Sequence, residues 1–101
     1  MTAHIVYQDI DNVNTATHSK KVINLIRSKI NFKNLIISDD ISMKGLKFSI
    51  EENTKKAFSA GCNLVLHCNG KFKEMMIVAK NSPKVNNFII TKTSQFYKIL
   101  S

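Results

Sequence analysis

Residues 34–44, Asn-Leu-Ile-Ile-Ser-Asp-Asp-Ile-Ser-Met-Lys, constrain the fold of this chain more than any other stretch. Leu35, Ile36 and Ile37 form a short apolar run rich in β-branched residues, with polar residues on both sides. That is the pattern of a buried parallel strand. Ser38, Asp39, Asp40 and Ser42 follow at once, four oxygen-bearing side chains where the strand is expected to turn. Parallel α/β sheets carry their chemistry at the carboxyl ends of strands, so a carboxylate pair there is a candidate site. Asp and Ser after a strand also cap the next helix. The local pattern leaves both readings open.

The rest of the chain alternates around this strand. Residues 2–7 read as the end of a strand, and the Asp- and Asn-rich residues 8–17 as a loop. Val22, Ile23, Leu25, Ile26 and Ile30 recur at helical spacing, which predicts a helix over 18–30 capped by Thr17 or Ser19. A loop containing Gly45 leads to a second helix over 50–60, with Ala57, Phe58 and Ala60 inward and Gly61 as its C-cap. Leu64, Val65 and Leu66 read as another buried strand, and Asn69-Gly70 as a turn. A third helix over 72–80 carries Met75, Met76, Ile77 and Ala79 and ends before Pro83. A weak terminal helix covers 91–100. Strand alternating with helix is the signature of parallel βαβ units. Three such strands, apolar on both faces, need cover and edge neighbours that so short a chain hardly supplies. The pattern reads as part of a larger sheet, with exposed edges that favour oligomerisation or aggregation unless something covers them.

Charge and cysteine content exclude several function classes. The net charge is +8, but fourteen of the fifteen basic residues are lysine and only Arg27 is arginine. The bidentate reader of bases and phosphates is therefore nearly absent, and the lysines are dispersed. A solvated lysine surface explains the charge better than a nucleic-acid partner. No apolar run is long enough to span a membrane, and no signal peptide is visible at the N-terminus. Cys62 and Cys68 fit a reduced, cytoplasmic setting. His67, Cys62 and Cys68 have no recognised metal-ligand spacing.

Three stretches carry a family resemblance: Met-Thr-Ala-His-Ile-Val-Tyr at 1–7, Leu-Ile-Ile-Ser-Asp-Asp-Ile-Ser-Met-Lys at 35–44 and Ala-Gly-Cys-Asn-Leu-Val-Leu-His-Cys-Asn-Gly at 60–70. In order and spacing they resemble bacterial β-N-acetylhexosaminidases of glycoside hydrolase family 3, over at least residues 1–82. Leu25-Ile26-Arg27 followed by Ser38-Asp39 resembles the family's active-site signature. Asn34 departs from it, standing where the family usually has glycine, at the turn into the strand.

The resemblance implies an α/β fold, the C-terminal part of a TIM (β/α)8 barrel. Residues 1–101 would form a partial catalytic domain running from about barrel strand six to the end, an incomplete barrel. It further implies that Asp39 is the nucleophile of a retaining hydrolysis of terminal β-linked N-acetylglucosamine, in bacteria typically during peptidoglycan recycling in the cytoplasm. Such a carboxylate must be ionised and held on a rigid strand end against an oxocarbenium-like transition state. Asp40 is assigned to capping or supporting hydrogen bonds. His4, in the Thr-Ala-His motif, and Asn69, after the second strand, are candidate substrate-binding residues, with structural and turn-forming roles as their alternatives. No metal or organic cofactor is implied.

The family's acid/base histidine and its sugar-binding residues lie upstream of strand six, and nothing in 1–101 corresponds to them. His18, at a helix start, and His67, beside Cys68, do not substitute. The expected partners are an N-acetylglucosamine-containing saccharide of muropeptide type, in the complete enzyme, and a separate chain supplying the rest of the barrel. Neither nucleic acid nor a membrane is expected. The rival reading is a non-catalytic remnant acting as a binding or scaffold module.

Overall fold

A computed structural model describes residues 1–100. The chain forms a 3-10 turn (Ala16–His18), α1 (Lys20–Ser28), β1 (Ile37–Asp40), α2 (Ile50–Ala60), β2 (Leu64–Leu66), α3 (Phe72–Asn81) and α4 (Asn87–Leu100). β1 and β2 pair in parallel, with Ile37 opposite Leu64 and Asp40 opposite Leu66. Thr2 forms a single parallel bridge to Ser38 on the other edge of β1. β1 is thus the middle of the pairing: Thr2 N–H donates to Ile37 O at 2.8 Å, and Asp39 N–H donates to Thr2 O at 3.2 Å. The expected strand at residues 2–7 is reduced to this one bridge.

β1 sits further along the chain than its apolar run predicts. Three residues of β1 advance against two of β2, an irregularity in the ladder. Ser38 makes it possible: fully buried, it turns its Oγ to accept Leu66 N–H at 3.1 Å, and Ile41 N–H then reaches Leu66 O at 2.8 Å. A side-chain oxygen stands in for a backbone acceptor, so pairing continues through Asp39 and Asp40. The two carboxylates therefore lie in the strand, and the turn begins after them.

Alternation along the strand sets the two faces. Ile36 packs with Ile23, Ala57, Ala60 and Cys62 in the core under α1 and α2, and Ile26 and Val65 lean on it. Burying a side chain such as Ile23 contributes about 2–3 kcal/mol. α2 comes close to this core because its inner stripe (Asn53, Thr54, Ala57 and Ala60) is small. Gly61 closes the helix at φ 117°, and a Cβ there would meet Ile23 Cγ2 at 2.8 Å.

Other boundaries moved for identifiable reasons. α1 begins at Lys20 and not at 18, because Ser19 Oγ accepts Val22 N–H at 3.1 Å. Ile30, expected on its apolar face, lies beyond the helix and is 67% exposed. α4 starts four residues earlier than its apolar pattern, since Asn86 Oδ1 caps Ile89 N–H at 2.9 Å. α3 has no buried residue, and Met75, Met76 and Ile77 are exposed. The molecule is a plate of 39 × 37 × 20 Å around a two-stranded sheet, with the core between the sheet, α1 and α2. Among the described residues, no helix is long and apolar enough to cross a membrane.

Candidate active site at the carboxyl end of the sheet

Asp39 follows the buried Ser38 in β1 and takes no part in the core under α1 and α2. It is half-buried, and Oδ1 accepts the N–H of Asp40 at 2.8 Å. No other hydrogen bond to its carboxylate is formed among the described residues, which leaves Oδ2 open to a ligand.

Asp40 is used up by the protein. Its Oδ1 accepts Ser42 N–H at 3.0 Å, Ser42 Oγ–H at 2.7 Å and Cys68 N–H at 3.1 Å. Burial works to raise its pKa, but these donors and the nearby His67 outweigh it and hold the carboxyl below the ordinary range. Asp40 thereby joins the turn after β1 to the chain after β2. This is the supporting role that its place beside Asp39 suggested.

His4 is brought to the same end of the sheet by the Thr2 bridge. Its Nε2 lies 2.7 Å from Asp40 O and its Nδ1 2.8 Å from Thr17 Oγ1. A carbonyl can only accept, so Nε2 carries the proton. Thr17, fully buried, also meets Thr2 Oγ1 at 2.9 Å. Both ring nitrogens are committed to the scaffold, so His4 positions the Asp40 backbone. Gly45 keeps the following loop against it, since a Cβ there would come within 3.0 Å of His4 Cβ.

Asn69 is exposed and organises the start of α3. Its Oδ1 accepts Lys71 N–H at 3.0 Å, and its Nδ2 donates to Glu74 Oε1 at 2.9 Å. Glu74 Oε1 also meets His67 Nε2 at 3.2 Å, and Asn69 and then His67 are the main causes that lower the Glu74 pKa. Sequence reasoning passed over Glu74 and read Thr17 only as a cap candidate for α1, a role that Ser19 takes. The contacts of Thr17 with Thr2 and His4 had no local signal, because these partners are distant in the chain. Cys62 is buried, which raises its thiol pKa, and Cys68 is exposed; both are free. Among the described residues, no three His, Cys, Asp or Glu side chains converge as a metal site would require.

Arg27 lies at the other end of the sheet. Its terminal nitrogens donate to Phe32 O at 2.9 Å, Asn34 O at 2.6 Å and Asn63 Oδ1 at 2.7 Å. Asn63 Oδ1 also accepts Ile36 N–H at 2.9 Å. Phe32 and Phe88 lie 5.8 and 5.5 Å from the guanidinium. Arg27 thus locks α1 to the starts of both strands.

The fold is thus a parallel α/β unit with a half-buried carboxylate, Asp39, near the carboxyl end of β1. Residues 1–94 match the glycosyl hydrolase family 3 N-terminal domain, and the chain belongs to that family. It is 36% identical over 90 residues to a β-hexosaminidase of Haemophilus influenzae, covering 82% of this chain and 26% of the relative. A β-hexosaminidase of Psychromonas ingrahamii is 29% identical over 101 residues, covering 98% of this chain and 28% of the relative. Among solved structures, CbsA from Thermotoga neapolitana superimposes on the whole chain with a TM-score of 0.78 at 30% identity, using 25% of its own length. The chain spans only about a quarter of the length of these relatives.

Proposed function

We propose that this chain is the C-terminal part of a TIM-barrel β-N-acetylhexosaminidase, with Asp39 as the nucleophile of a retaining reaction. The observation that carries this reading is Asp39 itself: a strand-end carboxylate with one oxygen uncommitted, in a chain of family 3. Oδ2 attacks the anomeric carbon of a terminal β-linked N-acetylglucosamine as the leaving oxygen departs, forming a covalent glycosyl-enzyme that water then hydrolyses. Asp40, His4 and Ser42 hold the strand end rigid. Asn69 shapes the neighbouring loop and faces the sugar only where its ties to α3 loosen. A muropeptide-type saccharide in the cytoplasm is the substrate we favour, and no cofactor is required.

Protonation of the leaving oxygen must come from outside residues 1–101. His4 has both nitrogens engaged, and His67 Nε2 is paired with Glu74. Without general acid/base help the rate falls on the order of 10²–10⁴-fold, and lost sugar contacts lower it further. The chain alone is accordingly proposed to be inactive, and a polypeptide supplying barrel strands one to five to complete the site.

Co-expression with such a polypeptide tests this on a chromogenic N-acetylglucosaminide. Hydrolysis is expected only with both polypeptides and is lost with Asp39→Asn. Equal activity from the chain alone would refute the missing acid/base. A folded but inactive pair would favour a non-catalytic remnant.

A further inference from the structure

We propose that the hollow between residues 13–18, the loop at 45–48 and α2 binds a small carboxylate with an apolar tail, independently of Asp39. The cavity measures about 230 Å³. That exceeds one water, whose share of liquid volume is about 30 Å³, and falls short of the roughly 300–1,000 Å³ of a drug-sized site. Val13, Leu46 and Phe48 supply apolar walls, Lys47 and Lys56 supply positive charge, and none of the described residues lining it is acidic.

Two polar atoms at this hollow have no partner. Thr15 Oγ1 and His18 Nε2 are both buried without a hydrogen bond, and His18 is only 9% exposed. Each such atom costs on the order of 1–3 kcal/mol when left unsatisfied. A small rotation that turns them to the hollow lets the Thr15 hydroxyl and the Nε2–H tautomer of His18 donate to one carboxylate, which no single apolar filler offers them. The ring stays neutral at pH 7, its pKa depressed to about 4, chiefly by burial. Cationic attraction comes instead from the rim, where Lys56 Nζ stands 4.2 Å from the Phe48 ring centroid. His18 and Phe48 rings lie 6.1 Å apart, so Phe48 joins the neutral donor to the charged one.

The loop's own acid does not compete. Asp11 accepts from Val13 N–H and Asn14 N–H, each at 3.1 Å, from Asn14 Nδ2 at 3.2 Å and from Ser19 Oγ at 2.7 Å. These bonds, led by Ser19, hold it ionised and turned towards the chain. They also fix the loop that presents Thr15 and His18.

The test is a titration of the full chain with sodium butanoate, followed by backbone amide shifts in nitrogen-15 NMR. Butanamide, its neutral isostere, and sodium chloride at equal ionic strength are the comparisons. Saturable shifts confined to residues 13–18, 45–48 and Lys56 are expected in the millimolar range, with butanamide at least about tenfold weaker. Lys56→Gln and Thr15→Val should each weaken butanoate several-fold, while Asp39→Asn leaves it unchanged and so separates this site from the proposed hydrolytic one. Shifts that fail to saturate, spread over the lysine surface, match chloride, or appear equally with butanamide would overturn the proposal.

Discussion

Arg27 at the start of β1 and Asp39 at its end are both charged and half-buried, yet they stand in opposite relations to the protein. The Arg27 terminal nitrogens are spent on two carbonyls and the Asn63 amide, and Asn63 in turn holds Ile36 N–H. Asp39 accepts one bond, from the residue next to it. Asp40, one position along, follows the Arg27 pattern with its Ser42 and Cys68 donors. A charge whose partners are all internal stabilises the fold. A charge on a rigid strand with open valence is available for chemistry, and contributes little to stability.

The largest effect expected from this contrast is on catalysis. In a reconstituted two-polypeptide enzyme, Asp39→Asn should lower kcat/KM by about 10³-fold or more, while urea denaturation shifts by no more than about 0.5 kcal/mol. Asp40→Ala should do the reverse in stability, costing about 1–2 kcal/mol by stranding the Ser42 and Cys68 donors. Equal stability losses for the two would erase the distinction.

Arg27→Met comes next. Removing charge-assisted bonds to two carbonyls and an amide should destabilise the chain by about 2–3 kcal/mol in urea denaturation. Arg27→Lys should recover less than half, since an ammonium lacks the planar fork. A neutral result would return Arg27 to the surface charges.

Acid offers a third handle, at His18. Its pKa falls from 6.5 to about 4 because burial disfavours the charged ring, with Lys56 and His4 adding to this and the Asn53 backbone opposing it. The unfolded chain therefore binds the proton first as pH falls below 6.5. Stability declines from there to about pH 4, a loss of about 2 kcal/mol at pH 4.5. His18→Leu should flatten the curve between pH 7 and 4.5. Asp11, Asp40 and Glu74, whose pKa values are lowered, begin to give up their contributions as pH falls through the ordinary carboxylate range, from about pH 5 down, so the upper part of the His18 window is its own.

The smallest effect concerns the start of α1. Ser19→Ala removes the acceptor for Val22 N–H and should cost about 1 kcal/mol in the same assay. Ser19→Asp, a better cap in isolation, should fail to rescue because its charge would face Asp11, the partner of the Ser19 hydroxyl at 2.7 Å.

Much of the element order was legible because it is local. α2 was readable from its inward alanines and its terminal glycine, which act within a few residues of the helix; the Ser49 cap was added by the structure. Leu64, Val65 and Leu66 were equally plain. The exit of β1 was not, because Ser38 looks like a turn residue until Leu66 N–H is brought to its hydroxyl. Asp39 was found as a candidate from its place after an apolar run and from the family motif, and Asp40 as its support. The commitments of His4 and Asn69 to the scaffold depend on Thr17, Asp40 O and Glu74, which lie at separations no periodicity encodes.

Sequence alone determined the alternation of strands and helices, the parallel class and the acidic strand end, because hydrophobic period, caps and motif spacing are properties of short stretches. Tertiary structure decided which acid is spent and which is open, and that the single arginine fastens the sheet. It also decided that His18 and Thr15 line a shared hollow. Hydrogen-bond partners distant in the chain are assigned only when the backbone closes, and in this protein they separate a structural charge from an available one.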